Sequence, residues 1–297
     1  MLNGLNLDSC AISVEGFEDL IEVKAPYFAL ESLHFDIDGW LIARVPVQCE
    51  NTFERTLMDV AEIGRHLAIL GSCFGALAHP LKLRHYYLVW KADLKTFDNL
   101  ISDTRPDYLF ARTKAVFTSK RELIAESELL DTTGEVAARL NVRYRVMKEK
   151  SFHRVYDRYI QDVSPVIESV NPYGKSIDIK ILSVDDQTLS ATIGQVAPEM
   201  CLGHFDRVKA LPVATSSQCM FKSCCLFLRN LLGEDEARFV LTSTDLRADN
   251  LALAGQEVDI KISLVDVKGD LFTVRSIATN NHGEAVGEAV SHIKKAS

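Results

Sequence analysis

The feature that most constrains the fold is an order of predicted elements that occurs twice along the chain. In each half, a strand hairpin precedes an apolar helix, and a series of strands follows that helix. Two landmarks return at similar spacings: the segment that begins at Gly134 recurs 149 positions later at Gly283, and Glu62 has its counterpart 156 positions later in Gln218. Because the two spacings nearly agree, the chain is predicted to be a tandem repeat.

The first half is predicted to begin with a hairpin over residues 28–47, which turns at Asp38-Gly39 and ends at Pro46. A helix follows over about 57–77, where apolar residues recur at three- and four-residue steps. Its three glycines would each weaken an exposed helix by up to about 1 kcal/mol, so we expect a helix tightly covered by a sheet. These glycines are Gly64, Gly71 and Gly75. The remaining strands are predicted at 85–94, 107–117, 121–130 and 135–147.

The second half is predicted to repeat this order, with a hairpin that turns at Asp185-Asp186 and an apolar helix over 219–232. The predicted strands are 177–184, 189–196, 238–245, 257–267, 271–279 and 284–292. A connector rich in Pro, Gly and Ser signals lies at 162–174. A length of 297 residues suits two units of about 150 each, here placed at 1–155 and 156–297.

Composition excludes several classes of protein. The net charge of −8 and the lack of clustered Lys and Arg argue against nucleic-acid binding. The longest apolar runs are too short to span a bilayer, and residues 1–15 lack the basic start of a secretory signal, so we expect a cytoplasmic protein without a membrane span. Seven cysteines without a Cys-x-x-Cys pair indicate reduced, buried side chains and no structural metal.

A short motif in the second half resembles a known enzyme family. Gly203-His204-Phe205 is followed by Pro212, eight positions after the histidine, and by Gln218, fourteen positions after it. This spacing resembles the motif of the 3-hydroxyacyl-acyl-carrier-protein dehydratases of fatty-acid synthesis and is similar to the dehydratase domains of polyketide synthases. The resemblance implies an α+β double hotdog, in which each repeat wraps a curved antiparallel sheet around a central helix. Periodicity alone would also fit an ordinary pair of α+β domains.

The sequence departs from the family motif around His204. Asp206-Arg207 stands where the family has Pro-Gly, Val213 stands where it has Gly, and Gln218 stands where it has an acid. A glutamine side chain cannot transfer a proton.

In the dimeric family members, the histidine and the acid come from different subunits. In a tandem repeat, His204 would therefore face Glu62 of the first half, whereas Gln218 would face Gln48. The resemblance thus implies one working site and one site that has lost its chemistry.

The expected reaction removes water from a 3-hydroxyacyl thioester of acyl carrier protein or coenzyme A. In this interpretation, neutral His204 is the base at carbon 2, and Glu62, kept protonated by apolar surroundings, is the acid. The backbone N–H of Val213 would hold the enolate oxygen, with Gly203, Phe205 and Pro212 completing the substrate site. No cofactor is needed. Arg207 and Lys209 could meet a phosphate of the carrier, and a homodimer is possible.

Structural interpretations of these residues remain open. Glu62 could lie on a polar helix stripe with Asp59 and His66. Glu62 and His66 could also be two metal ligands, although no third ligand stands at a telling position. Cys219 could be a nucleophile, but core packing is its more common use.

Other functions also fit the pattern. Hotdog proteins include thioesterases, in which an acid directs water to the thioester carbonyl. A non-catalytic acyl-binding subunit of a biosynthetic complex would explain the departures from the dehydratase motif. The condensing proteins of butyrolactone-signal synthesis share the double fold, but their histidine-rich motif is missing here.

Overall fold

The structure, a computed structural model, describes residues 12–13, 16–50, 52–160 and 171–296. It contains two long helices and two short ones among these residues. The helices are α1 (Phe17–Ile21), α2 (Val60–Ala78), α3 (Glu149–Tyr156) and α4 (Val213–Leu232). The first-half strands are β1 (Glu31–Phe35), β2 (Leu41–Pro46), β3 (His85–Thr96), β4 (Tyr108–Ser119), β5 (Glu122–Leu130) and β6 (Val136–Lys148). The second-half strands are β7 (Lys180–Val184), β8 (Thr188–Gln195), β9 (Ala210–Leu211), β10 (Phe239–Ala248), β11 (Ala252–Leu253), β12 (Glu257–Lys268), β13 (Leu271–Asn280) and β14 (Ala285–Lys295).

One antiparallel sheet contains twelve of these strands, in the order β1-β2-β4-β5-β6-β3-β10-β14-β13-β12-β8-β7. Each half supplies six strands, and the second half mirrors the order of the first. The halves join where β3 pairs with β10, with Leu94 opposite Thr244. Helices α2 and α4 contact each other and pack on the sheet strands of their own halves. This repeated order confirms that the two halves have the same topology and an α+β architecture.

The predicted hairpins, helices and strands are confirmed with small shifts at their ends. Helix α4 begins at Val213, six residues before the predicted start. The prediction missed its first residues because the polar run at 215–218 interrupts the apolar period. The hydroxyl of Ser217 donates to the Val213 carbonyl at 2.8 Å, which accommodates this polar side chain within the helix. The predicted boundary at 155/156 lies at the end of α3 and stays a prediction, and most of the predicted connector lies outside the described residues.

The three glycines of α2 have different surroundings. A Cβ at Gly71 would lie 2.6 Å from the Tyr144 hydroxyl, and a Cβ at Gly75 would lie 2.5 Å from Leu123 Cδ2, so these two glycines allow close packing as predicted. A Cβ at Gly64 would meet nothing within 4 Å. The prediction of a tight cover is therefore wrong at Gly64, which borders an open space inside the protein.

Alanine substitution at these glycines should change stability in opposite directions. We expect Gly64→Ala to raise the free energy of unfolding by about 0.5–1 kcal/mol, because alanine favours the helix and meets no neighbour. Gly71→Ala should lower it by about 1–3 kcal/mol, because Tyr144 would have to move. Urea unfolding of the two variants measures both values, and equal effects at the two sites would contradict this packing.

Helix α2 is long and apolar enough to cross a membrane by length and composition alone. In the structure, however, 78% of this apolar window is buried inside the protein, as in a core helix. The predicted lack of a membrane span stays a prediction.

Candidate functional site

An apolar cavity of about 140 Å³ lies between the two long helices and the centre of the sheet. Both halves contribute to its walls, with Val60, Gly64 and Ala68 on α2 and Val213 and Ser217 on α4. Strands β3, β6, β10 and β14 supply further wall residues. A space enclosed mainly by apolar side chains with a few polar atoms is typical of a small-molecule site.

His204 lies in the wall of this cavity, at the end of a tightly constrained loop. Gly203 has a φ of 75°, and a Cβ there would lie 2.2 Å from the carbonyl oxygen of Lys24, so only glycine fits. Phe205 has a φ of 58°, a conformation that costs roughly 1–2 kcal/mol for a residue with a Cβ. Its ring is held 5.2 Å from the rings of both Tyr86 and Phe152. The stacked rings of Tyr86 and Phe152 pack together against Phe205 and so fix the backbone that carries His204.

The side chain of His204 is oriented by one hydrogen bond. Its Nδ1 lies 2.9 Å from the carbonyl oxygen of Ala210, an acceptor, so Nδ1 carries the proton and donates. Burial lowers the pKa of His204 to about 4, although this hydrogen bond opposes the shift. The imidazole is therefore neutral at pH 7. No described residue hydrogen-bonds its Nε2, so the lone pair there can accept a proton.

The first turn of α4 is open towards the cavity. Pro212 precedes the helix and gives no side-chain cap, and Ser216 N–H makes the first bond of the turn, to the Pro212 carbonyl. Among the described residues, none accepts a hydrogen bond from the N–H groups of Val213 and Ala214. Both residues line the cavity beside His204. Unpaired N–H groups at a helix N-terminus favour an anionic oxygen.

The first turn of α2 is closed by carboxylates instead. Val60 N–H donates to Glu54, and the N–H groups of Ala61 and Glu62 donate to Asp59 at 2.9 and 3.1 Å. Burial raises the pKa of Asp59 to about 6, and the Glu62 charge adds to this rise. Burial, followed by the Asp59 charge, also raises the pKa of Glu54. These acids occupy the positions that an anionic ligand would need.

Glu62 has a different environment from the predicted one. Its two oxygens accept hydrogen bonds from the backbone N–H groups of Gln48 and Cys49, at 2.8 and 3.1 Å, and Arg65 lies 3.2 Å away. Burial pushes its pKa up, but His66, Arg65 and the Gln48 N–H outweigh burial and hold the pKa below the ordinary value. The prediction of a protonated Glu62 is therefore wrong, because the side chain is an ionised partner in a buried network.

The structure brings together only some of the predicted site residues. His204, Phe205 and Val213 line the cavity. Gly203 and Pro212 shape the loop and the helix start without lining it. Glu62 is buried but does not line the cavity, and within the described residues no hydrogen bond or ion pair joins it to His204. A catalytic role for Glu62 stays a prediction.

Gln218, on α4, lies near the first turn of α2, which the carboxylates close. Its amide donates to the Cys49 sulfur at 2.9 Å. The predicted partner, Gln48, instead bonds Arg65 at 2.7 Å.

Two residues near the site were missed by sequence reasoning. The ring of Tyr27 packs edge-on against His204, with centroids 5.2 Å apart, and Tyr27 lines the cavity. Glu22 is buried and accepts the N–H of Phe205 on its carbonyl and the N–H of Asp206 on its side chain, at 3.2 Å each. Both residues precede the first predicted strand, where no period marks them. Their place at the site becomes visible only in the folded chain, through their contacts with residues 204–206.

Glu22 should make stability depend on pH. Burial raises its pKa to about 7; Arg84 opposes this rise, while the nearby acids Asp206 and Glu149 add to it. A carboxyl that has a higher pKa in the folded state than in the unfolded state stabilises the fold when it is protonated. This stabilisation is complete below the unfolded pKa and is lost as the pH rises through the folded pKa. Between about pH 4.5 and 7, the free energy of unfolding should therefore fall by about 1–3 kcal/mol through Glu22 alone.

The test compares urea unfolding of the wild type and Glu22→Gln at pH 5 and pH 8. The variant mimics the protonated acid, so it should be the more stable protein at pH 8 and lack this part of the pH dependence. Glu236→Gln, at an exposed position, is the control. An unchanged pH dependence in Glu22→Gln would contradict the assignment.

Several other expectations concern partners and compartment. In the part of the chain that the structure describes, no three His, Cys, Asp or Glu side chains are placed to hold a metal ion. The six cysteines described are buried and unpaired, in keeping with reduced side chains. The predictions of a cytoplasmic location, a possible homodimer, no cofactor and no nucleic-acid partner stay predictions.

The fold resembles those of solved thioesterase structures. An inferred oleoyl thioesterase from Lactobacillus plantarum matches with a TM-score of 0.60 and 14% identity, over 87% of this chain and 97% of that one. An acyl-CoA thioesterase II from Mycobacterium marinum matches with a TM-score of 0.53 and 11% identity, over 86% and 91%. A hotdog-fold protein of unknown function from Alicyclobacillus acidocaldarius matches with a TM-score of 0.52 and 9% identity, over 96% and 99%. No protein-family model and no curated protein sequence matches the chain.

These similarities establish the hotdog fold, and at such low identity they extend to the fold alone. They also correct the expected enzyme class. The enzymes that the chain resembles in structure are thioesterases, which are hydrolases, so the expected assignment as a dehydratase, a lyase, is wrong.

Proposed function

We propose that this protein is a thioesterase that hydrolyses an acyl thioester of coenzyme A or acyl carrier protein. One observation carries the proposal: a neutral His204, whose Nε2 has no hydrogen-bond partner among the described residues, lies beside the open first turn of α4 at the wall of an apolar cavity. Together these groups meet the needs of thioester hydrolysis, namely a base, an oxyanion site and a dry space for an acyl chain. Thioesterases with a similar fold support the same reaction.

In the proposed reaction, the thioester carbonyl lies at the start of α4, with its oxygen towards the N–H groups of Val213 and Ala214. His204 Nε2 takes a proton from a water molecule as the water oxygen bonds to the carbonyl carbon. The negative oxygen of the tetrahedral intermediate is stabilised by the two N–H groups and by the positive end of the helix dipole. The carbon–sulfur bond then breaks, and the imidazolium returns its proton to the thiolate. The products are a carboxylic acid and a free thiol.

We also propose that the chain is a double hotdog with two equivalent helix starts, of which only one forms an acyl site. The counterpart of the open α4 turn is the α2 turn, where Glu54 and Asp59 already hold the N–H groups. An oxyanion could not replace two buried carboxylates without leaving them unpaired. The repeat thus keeps one acyl site, formed by both halves, and uses the other as a structural contact.

The proposal is tested by mixing the purified protein with a panel of coenzyme A thioesters and acyl-carrier-protein thioesters of several acyl chain lengths. Thiol release is followed with a chromogenic disulfide, and the free acid is identified by mass spectrometry. Equal yields of thiol and acid support the proposal. Intact thioesters throughout the panel, for CoA and carrier-protein forms alike, would contradict it.

A second candidate is an acyl-binding protein without catalysis. It is favoured by the absence of any Asp or Glu side chain from the cavity wall among the described residues, since such a group would orient the histidine in many hydrolases. In that case, acyl thioesters would bind and remain intact.

A further inference from the structure

Gly64 is a helix glycine that the packing of the fold does not explain. Glycine destabilises a helix relative to alanine, so a glycine inside a helix needs a reason in the surrounding structure. Gly71 and Gly75 have such a reason, because a Cβ at either position would lie less than 3.0 Å from another side chain. Gly64 does not have a positive φ, and a Cβ there would meet nothing within 4 Å. Neither the backbone conformation nor close packing therefore requires glycine at this position.

The open space beside Gly64 is the cavity. Gly64 lines it and is partly exposed, whereas the residues on either side of it in the chain are buried. Its counterpart in the second half, at the spacing of 156 positions that relates Glu62 to Gln218, is Met220. Met220 is buried and lines the same cavity from α4. The first half thus lacks a side chain where the second half has a large one, and this difference keeps space open between the helices and the sheet.

Helix α2 and strand β3 run in opposite directions along the cavity. Gly75 lies beside Tyr87, and Gly71 lies beside Tyr144, whose partner in β3 is two residues further along that strand. Towards its N-terminus, α2 therefore passes towards the end of β3, where this strand joins the second half. Gly64 precedes Gly71 by about two helical turns, or roughly 10 Å. It therefore faces the inner part of the cavity, near the join of the two halves.

The loop of His204 lies at the opposite end of β3. Phe205 packs against Tyr86, the second residue of this strand, with ring centroids 5.2 Å apart. An acyl chain whose carbonyl lies at His204 would therefore extend inwards, past Gly64. An extended chain advances roughly 1.2 Å per bond, so a chain of roughly eight or more carbons is long enough to reach Gly64.

We propose that Gly64 determines which acyl chain lengths the site accepts, because the chain of the bound thioester occupies the space that a side chain at this position would fill. The inference rests on the proposed thioesterase function, since it assumes that the thioester lies at His204. The ligand class is an acyl thioester with a hydrocarbon chain of roughly eight or more carbons. A shorter chain ends before Gly64 and would be insensitive to a side chain there.

The test measures binding separately from hydrolysis. Two stable coenzyme A ketones, in which a methylene separates the sulfur from the carbonyl, carry either a butanoyl-length or a dodecanoyl-length chain. Calorimetric titration gives the two Kd values for each protein. We expect the wild type to bind the longer ketone at least about tenfold more tightly, because each buried methylene strengthens binding by up to about fourfold.

Gly64→Met puts the side chain of the Met220 position into this space. It should weaken binding of the dodecanoyl-length ketone by about tenfold or more and change binding of the butanoyl-length ketone by less than about threefold. Gly64→Ala, which adds one methyl group, should weaken binding of the longer ketone by about two- to fourfold. The control Ala78→Met adds the same side chain at the exposed end of α2 and should bind both ketones as the wild type does. Thermal unfolding checks that the variants fold.

The outcomes separate this inference from the proposed function. If the wild type binds both ketones equally, or if Gly64→Met keeps the preference for the longer ketone or weakens both ketones alike, the role of Gly64 is overturned while the acyl site stands. If the wild type binds neither ketone, the acyl site and this inference fall together. A loss of affinity confined to the longer ketone in the Gly64 variants supports the inference even if hydrolysis is slow.

Discussion

Replacing His204 by glutamine is expected to lower the rate of thioester hydrolysis by about 10²- to 10⁴-fold, the usual contribution of a positioned base. Glutamine has a similar reach but cannot take a proton from water. The effect should fall on kcat more than on KM, because the N–H groups of Val213 and Ala214 and the apolar cavity still bind the substrate. Steady-state kinetics with an acyl-CoA thioester measures both parameters.

The matched control is His282→Gln, since His282 is exposed in the turn before β14. This variant should hydrolyse the thioester at the wild-type rate. Full activity in His204→Gln, with normal folding, would show that the base is another group or that the observed hydrolysis occurs elsewhere.

The second large effect concerns stability. Glu62→Gln should lower the free energy of unfolding by about 3–5 kcal/mol, because it leaves the buried Arg65 without its charge partner. The glutamine amide would also face the N–H groups of Gln48 and Cys49, which need an acceptor. Urea unfolding at pH 7 measures this loss. The protein that remains folded should keep hydrolysis within about threefold of the wild type.

Glu126→Gln is the control for this prediction. Glu126 pairs with Arg139 at 3.5 Å on the surface, where an ion pair contributes little, so this variant should change stability by less than about 1 kcal/mol. A Glu62→Gln protein that is stable but inactive would reverse our assignment and restore Glu62 as a catalytic acid.

Much of the fold could be predicted from local sequence signals. Asp38-Gly39 marks the first hairpin turn, and the apolar period marks α2, because these signals depend on nearby residues alone. The pairing of β3 with β10, which joins the halves into one sheet, depends on contacts between distant residues. No local period carries that information.

The site was predicted in part. The resemblance of Gly203-His204-Phe205 to the dehydratase motif singled out His204, which lines the cavity. The structure adds the reason for Gly203, since only glycine fits where the loop approaches Lys24. The protonation of Glu62 was predicted wrongly, since its pKa depends on Arg65 and on backbone N–H groups that only the folded chain brings together. A carboxyl among apolar neighbours in sequence does not reveal its partners in space.

A crystal structure with a stable coenzyme A ketone would show directly whether the acyl site lies at the start of α4. In this ketone a methylene separates the sulfur from the carbonyl of a dodecanoyl-length chain. We predict that its acyl chain occupies the cavity between α2 and α4. Its carbonyl oxygen should lie within hydrogen-bond distance of the Val213 and Ala214 N–H groups, with His204 Nε2 near the carbonyl carbon. A ketone bound at the start of α2, or outside the cavity with His204 untouched, would contradict the account.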